Sequence, residues 1–136
     1  MTMVDTTVVV DLIQADPDWS GWSKAAVGTA IQNGPVYAST VVLGELAARI
    51  ADFDLLQRLF TDFELELADL DAAAAHRAGR AQATYRSAGG ARDKLLGDFL
   101  IGGHAESAGF ALITRDARPY RRYFPDLALI TPETHP

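Results

Sequence analysis

The chain has 136 residues, 49% of them apolar, with 12 basic and 18 acidic side chains, a formal net charge of -6 and no cysteine. That length and apolar content suit a single globular domain spanning 1–136, with one sizeable core, rather than a disordered chain. The acidity argues against a general nucleic-acid coat protein, and the lack of cysteine excludes a disulfide scaffold, a thiolate nucleophile and a Cys-based zinc site.

The first segment, "MVDTTVVVDL", is β-rich in composition yet carries two aspartates. Were 3–13 one strand, Asp5, Thr7, Val9, Asp11 and Ile13 would share a face, burying two carboxylates among apolar groups. A strand ending at Asp5 and followed by a helix avoids that cost. Val9, Leu12 and Ile13 then form an i, i+3, i+4 core stripe, Thr6 or Thr7 caps the helix, and Asp11 turns to solvent. The valines lower helix propensity by only about a few tenths of a kcal/mol each.

Next, "DWSGWSKAAVGTAIQNG" reads as a helix with Trp19, Trp22 and Ala26 on one face, stopping at Gly34. Gly34-Pro35 bounds a short strand, "VYAS" (36–39), and Thr40 is the expected cap of the helix "TVVLGELAARI". "DLLQRLF" pairs Leu55, Leu56, Leu59 and Phe60 on a helix, and "LELAD" (65–69) is a weaker strand. An alanine-rich helix starts at a capping Asp71 and ends at Gly89-Gly90. A loop holding Asp93 and Lys94 precedes the helix "GDFLIGGHAESAG", which is followed by strands "FALIT" (110–114) and "LALIT" (127–131). Strands alternating with helices predict an α/β domain: three layers, α/β/α, around a parallel sheet of about five strands. No run approaches the roughly 18 apolar residues of a membrane span. "MTMVDTTVVV" has no positive leader region, so a cytoplasmic protein without membrane contact is expected.

Ligands of open parallel sheets bind outside the carboxyl ends of the strands. Asp5 is placed there. Glu45 lies in the first turns of the helix after "VYAS", Asp98 opens the helix "DFLIGGHA", and Asp116 follows "FALIT" in "TRDAR". Each acid alone also reads as a cap, a turn residue or a solvated helix residue. Together they suggest a convergent acidic edge. Crowded carboxylates resist ionisation, and Mg²⁺ or Mn²⁺, which take oxygen ligands, reverse that balance. The chemistry implied is metal-assisted hydrolysis of a phosphodiester.

With "VDTTVVVDLI", "STVVLGELA", "GDFLIGGHA" and "LITRDARPYRRYFPDLALI" in that order, the chain resembles a PIN-domain ribonuclease, specifically a VapC-type toxin of a type II toxin–antitoxin pair. The likeness covers essentially the whole sequence. It implies that Asp5, Glu45, Asp98 and Asp116 form an acidic Mg²⁺ or Mn²⁺ site, with Thr6 and Thr114 as supporting hydroxyls. It further implies endonucleolytic cleavage of RNA, inhibition by a cognate VapB-like antitoxin, and a homodimer. Departures are modest: Thr7 where Ser or Asn is commoner, Phe99 after Asp98, and Gly102-Gly103 in the same helix, which suggest close packing at a dimer contact.

"RDARPYRR" offsets the acidity locally, with four arginines against one aspartate. Arg115, Arg118, Arg121 and Arg122 are expected to meet RNA phosphates, and Tyr120 or Tyr123 to stack on an unpaired base; the plainer reading is a solvated loop with its aromatics packed on the core. The histidines His76, His104 and His135 read as surface or core residues, not ligands. Two rival functions remain. A haloacid-dehalogenase-like phosphatase also places an Asp after strand one, but its pattern usually repeats the Asp two residues on, where this chain has Thr7. A non-catalytic PIN-like binding domain would have no need of all four acids.

Overall fold

The computed structural model describes residues 1–90 and 96–136; the expected loop around Asp93 and Lys94 lies outside them. In chain order the elements are β1 (Thr2–Val4), α1 (Thr6–Gln14), α2 (Ser20–Asn33), β2 (Val36–Ser39), α3 (Thr40–Ala47) and α4 (Phe53–Asp62). There follow β3 (Glu66–Ala68), α5 (Ala72–Ser87), α6 (Leu96–Ala108), β4 (Ala111–Ile113), α7 (Arg118–Tyr123) and β5 (Leu129–Ile130). The five strands are parallel and lie in the order β3-β2-β1-β4-β5. Helices cover both faces, giving the three-layer α/β/α arrangement. No helix among the described residues is long and apolar enough to cross a membrane.

The three inner strands, β1, β2 and β4, are short and largely buried, so they read as near-continuous apolar runs rather than as alternation, while the edge strands β3 and β5 are partly exposed. Met3 and Val4 pair with Tyr37 and Ala38 on one side and with Leu112 and Ile113 on the other. Strand order switches sides at β1: β2 and β3 lie to one side, β4 and β5 to the other. The crevice at such a switch point opens at the carboxyl ends of β1 and β4.

Helix starts follow local capping chemistry. Asp5, Ser39, Asp52 and Asp71 each stand before a helix and accept a hydrogen bond from a backbone amide two or three residues on. The first two correct the sequence reading. Asp5, not Thr6 or Thr7, caps α1, and Ser39, not Thr40, caps α3. In both cases the last residue of the strand segment has the extended backbone a cap requires.

A short helix, α7, occupies what the sequence reading left as an arginine-rich loop. Pro119 in its first turn suits a helix start, and Tyr120 and Phe124, four apart, bury one face. Gly102 and Gly103 serve internal packing, which answers for them without a dimer contact. A Cβ on Gly102 would lie 2.5 Å from the Phe124 ring, and one on Gly103 would lie 2.8 Å from the Ala78 amide nitrogen of α5. The small residues Ala74, Ala78 and Ala81 on α5 complete that close approach.

Candidate acidic site at the carboxyl edge of the sheet

Asp5 leaves β1 directly into the switch-point crevice. Its amide donates to Ile113 O at 3.1 Å, which ties the end of β1 to β4. Its carboxylate is buried and heavily hydrogen-bonded. Thr7 Oγ1 donates to Oδ1 at 2.8 Å, the Val8 amide donates to Oδ1 at 3.1 Å, and Thr114 Oγ1 donates to Oδ2. Burial pushes the Asp5 carboxyl above the ordinary range, opposed by those hydrogen bonds and by the Arg115 charge.

Asp98 lies in the first turn of α6 and is half-buried. Its pKa is pushed up to about 6, first by burial and then by the negative charges of Asp5 and Glu45, with Asp116 adding to them. Three separate elements therefore bring their acids within electrostatic reach of Asp98. The Tyr120 hydroxyl donates to Asp98 Oδ1 across a long 3.4 Å and partly offsets the rise.

Glu45, one turn into α3, is exposed. Thr6 Oγ1 donates to its Oε1 at 2.6 Å. The carboxylate also lies against Gly97, where an added Cβ would come 2.6 Å from Oε2. A side chain there, one position before Asp98, would displace the exposed end of Glu45 from its present place.

Asp116 stands apart in orientation. Its carboxylate is gripped by Arg118 through Nε at 3.0 Å and Nη2 at 3.1 Å, which pulls its pKa below the ordinary value. Thr114 Oγ1 accepts from the Asp116 amide at 3.1 Å, so one threonine links the Asp116 turn to Asp5.

All four sequence-predicted acids thus reach one edge of the sheet, and both predicted threonines touch one of them. The donor set is all oxygen, as a hard divalent cation requires. The raised Asp98 pKa marks excess negative charge that such a cation would relieve. The residues fit Mg²⁺ or Mn²⁺ in chemistry. As the side chains stand, no three His, Asp or Glu among the described residues are spaced to hold an ion. Binding would require Asp116 to leave Arg118.

Two sequence expectations fail here, those for Asp11 and for Tyr120. Asp11 is not on a solvated helix face; it is fully buried. Ser23 Oγ donates to its Oδ2 at 2.8 Å, Arg115 Nη2 donates to Oδ1 at 3.0 Å, and Arg115 Nε stands 3.0 Å from Oδ2. Buried charge is tolerated when paired and hydrogen-bonded, and those partners come from α2 and the β4–α7 turn. Tyr120 is 1% exposed, so no base can stack on it; it packs in the core, with its hydroxyl turned to Asp98. The arginines do not form one open patch. Arg118 holds Asp116, Arg121 holds Glu133, and Arg122 lies over the Tyr123 ring. His104 is a buried core residue, with Nδ1 2.9 Å from Ser39 Oγ, and burial lowers its pKa.

The sequence reading missed Thr7 and Tyr120 as neighbours of the acids. The i, i+2 spacing of Asp5 and Thr7 at a helix start was a signal for the first. The four-residue spacing of Tyr120 and Phe124 behind Pro119 was a signal for the second.

A family model described as PIN domain matches residues 2–125. No curated protein matches the chain. Among solved structures, VapBC2 from Rickettsia felis bound to a fragment of promoter DNA superposes with a TM-score of 0.74 at 23% identity, covering 96% of this chain and 97% of that one. DNA-bound VapBC from Salmonella typhimurium gives a TM-score of 0.69 at 22% identity, covering 96% and 98%. FitAcB from Neisseria gonorrhoeae gives 0.68 at 18% identity, covering 98% and 99%. At these identities the likeness is one of fold. The family model spans nearly the whole chain, from β1 through the end of α7, and takes in all four acids: the chain belongs to the PIN-domain family.

Proposed function

We propose that this protein is the toxin of a toxin–antitoxin pair, a Mg²⁺- or Mn²⁺-dependent endoribonuclease that hydrolyses RNA phosphodiester bonds. The observation that carries the reading is the gathering of Asp5, Glu45, Asp98 and Asp116 at the carboxyl edge of a PIN-family sheet, with the Asp98 pKa pushed up to about 6 by burial and then by the neighbouring negative charges. Asp5 and Asp98 would hold the cation, one fixed by Thr7, Thr114 and the Val8 amide, the other steadied by Tyr120. Glu45, oriented by Thr6, and Asp116, released from Arg118, complete the oxygen set. The chemistry such a cation would supply there is activation of a water and relief of charge on the leaving oxygen. The hydroxyls of Thr7, Thr114 and Tyr120 hold the Asp5 and Asp98 carboxylates in place, while Asp116 must still leave Arg118 before a cation is fully ligated.

The structural neighbours are VapBC and FitAcB complexes. By analogy, a VapB-like antitoxin inhibits this chain, which acts in the cytoplasm as a homodimer. Purified protein should cut single-stranded RNA in Mg²⁺ or Mn²⁺ and stop in EDTA; equal cleavage in EDTA would refute the metal mechanism. Asp5→Asn and Asp98→Asn should each abolish growth arrest on overexpression while leaving the fold intact. If both variants stay fully toxic, the site assignment is wrong.

A further inference from the structure

Arg115 differs from the other arginines of its segment. Its partner, Asp11, is sequestered, with a side chain 1% exposed, while the guanidinium side chain is 27% exposed. The acid lies behind the base. Trp19 closes one side, its ring centroid 5.3 Å from the guanidinium carbon. Nη2 donates to Asp11 Oδ1, Nε lies 3.0 Å from Asp11 Oδ2 as an ion pair without a hydrogen bond, and among the described residues Nη1 has no protein partner.

The guanidinium also sits at a junction. One cavity of about 260 Å³ runs from Arg115 to Thr6 and Glu45. Another of about 430 Å³ runs from Arg115 to Trp19 and Asp116. Both are lined by Thr7, whose hydroxyl donates to Asp5 at 2.8 Å. A strand crossing the acidic edge from one cavity to the other passes over Thr7 and beside the open edge of Arg115.

We infer that Asp11 and Trp19 hold Arg115 as a preformed anchor for a backbone phosphate of single-stranded RNA, one that flanks the acidic site. Arginine suits this role because its planar fork engages the carboxylate on one edge and keeps donors on another. A guanidinium locked before binding loses little rotamer freedom when phosphate arrives. Asp11 is then a positioning residue, and Arg115 the residue that touches substrate. The inference rests on the nuclease reading above and adds to it where the substrate is gripped.

The test uses a labelled single-stranded oligouridine in EDTA, so that binding is read without cleavage. Arg115→Ala alone would strand the buried Asp11 carboxylate and endanger folding. The informative variant is therefore the double change Asp11→Asn with Arg115→Met, which leaves net charge and the long-range field unaltered. A thermal melt confirms that it is folded. Its affinity should fall about fivefold to tenfold, and the slope of log K against log salt should flatten by about 0.7, the value for one phosphate contact on a single strand. Asp11→Asn alone keeps the cation, so its salt slope should match the wild type, while KM for RNA cleavage rises several-fold at little change in kcat. A double variant that is folded and binds with wild-type affinity and slope overturns the anchor. If the wild type cuts RNA in that case, the nuclease reading stands without it. If the wild type neither binds nor cuts, that reading falls and takes the anchor with it.

Discussion

Asp98→Asn should make the metal-free protein more stable. The change keeps the side chain's shape, and Tyr120 can still donate to the remaining oxygen. What it removes is a negative charge that burial, Asp5 and Glu45 all oppose. A rise in pKa from 3.8 to about 6 corresponds to at most about 3 kcal/mol. Water reaches the half-buried Asp98, and screening reduces the figure to about 1–2 kcal/mol. For a domain of this size that is a rise in Tm of about 3–8 °C. The sign follows from proton linkage. An acid with a raised folded-state pKa binds its proton more tightly when folded, so its favourable contribution is complete below about pH 4 and is lost as pH rises toward about 6. Melts of wild type and Asp98→Asn in EDTA should therefore nearly coincide at about pH 4 and diverge to full separation above about pH 6. Added Mn²⁺ should raise the wild-type Tm and leave the variant's far less changed, because a ligand stabilises only the state that binds it. An Asp98→Asn protein less stable than wild type at neutral pH, or a gap that does not change with pH, would refute the electrostatic account of this site.

Tyr120→Phe keeps the buried ring and removes the hydroxyl, so folding should change by less than about 1.5 kcal/mol in urea melts, while Mn²⁺ affinity by calorimetry falls several-fold. Gly103→Ala should lower the urea midpoint: its new Cβ meets α5 backbone at 2.8–2.9 Å, and overpacking of about 1–3 kcal/mol exceeds the roughly 1 kcal/mol gained in helix propensity. Gly79→Ala, on the exposed face of α5 with nothing within 4 Å of the new Cβ, should raise the midpoint by about 0.5–1 kcal/mol. Thr114→Val removes a hydroxyl shared by Asp5 and the Asp116 amide; RNA cleavage should drop at least tenfold while circular dichroism stays native.

The sequence by itself determined the alternation of strands and helices, because each strand is a short apolar run bounded by turn residues and each helix carries a local periodicity. It also determined that Asp5, Glu45, Asp98 and Asp116 stand near strand ends and helix starts, since those are local features. Parallel pairing then brings carboxyl ends to one edge, so four acids far apart in the chain became neighbours. The fate of Asp11 was beyond local reading. Whether a carboxylate is buried depends on whether a partner repays its desolvation, and that partner, Arg115, lies 104 residues away. The same holds for Tyr120, for which base stacking and core packing were both open from sequence until α7 turned it inward to Asp98. Periodicity and capping act over a few residues and are written in them; the pairing of buried charge is decided only where distant segments meet.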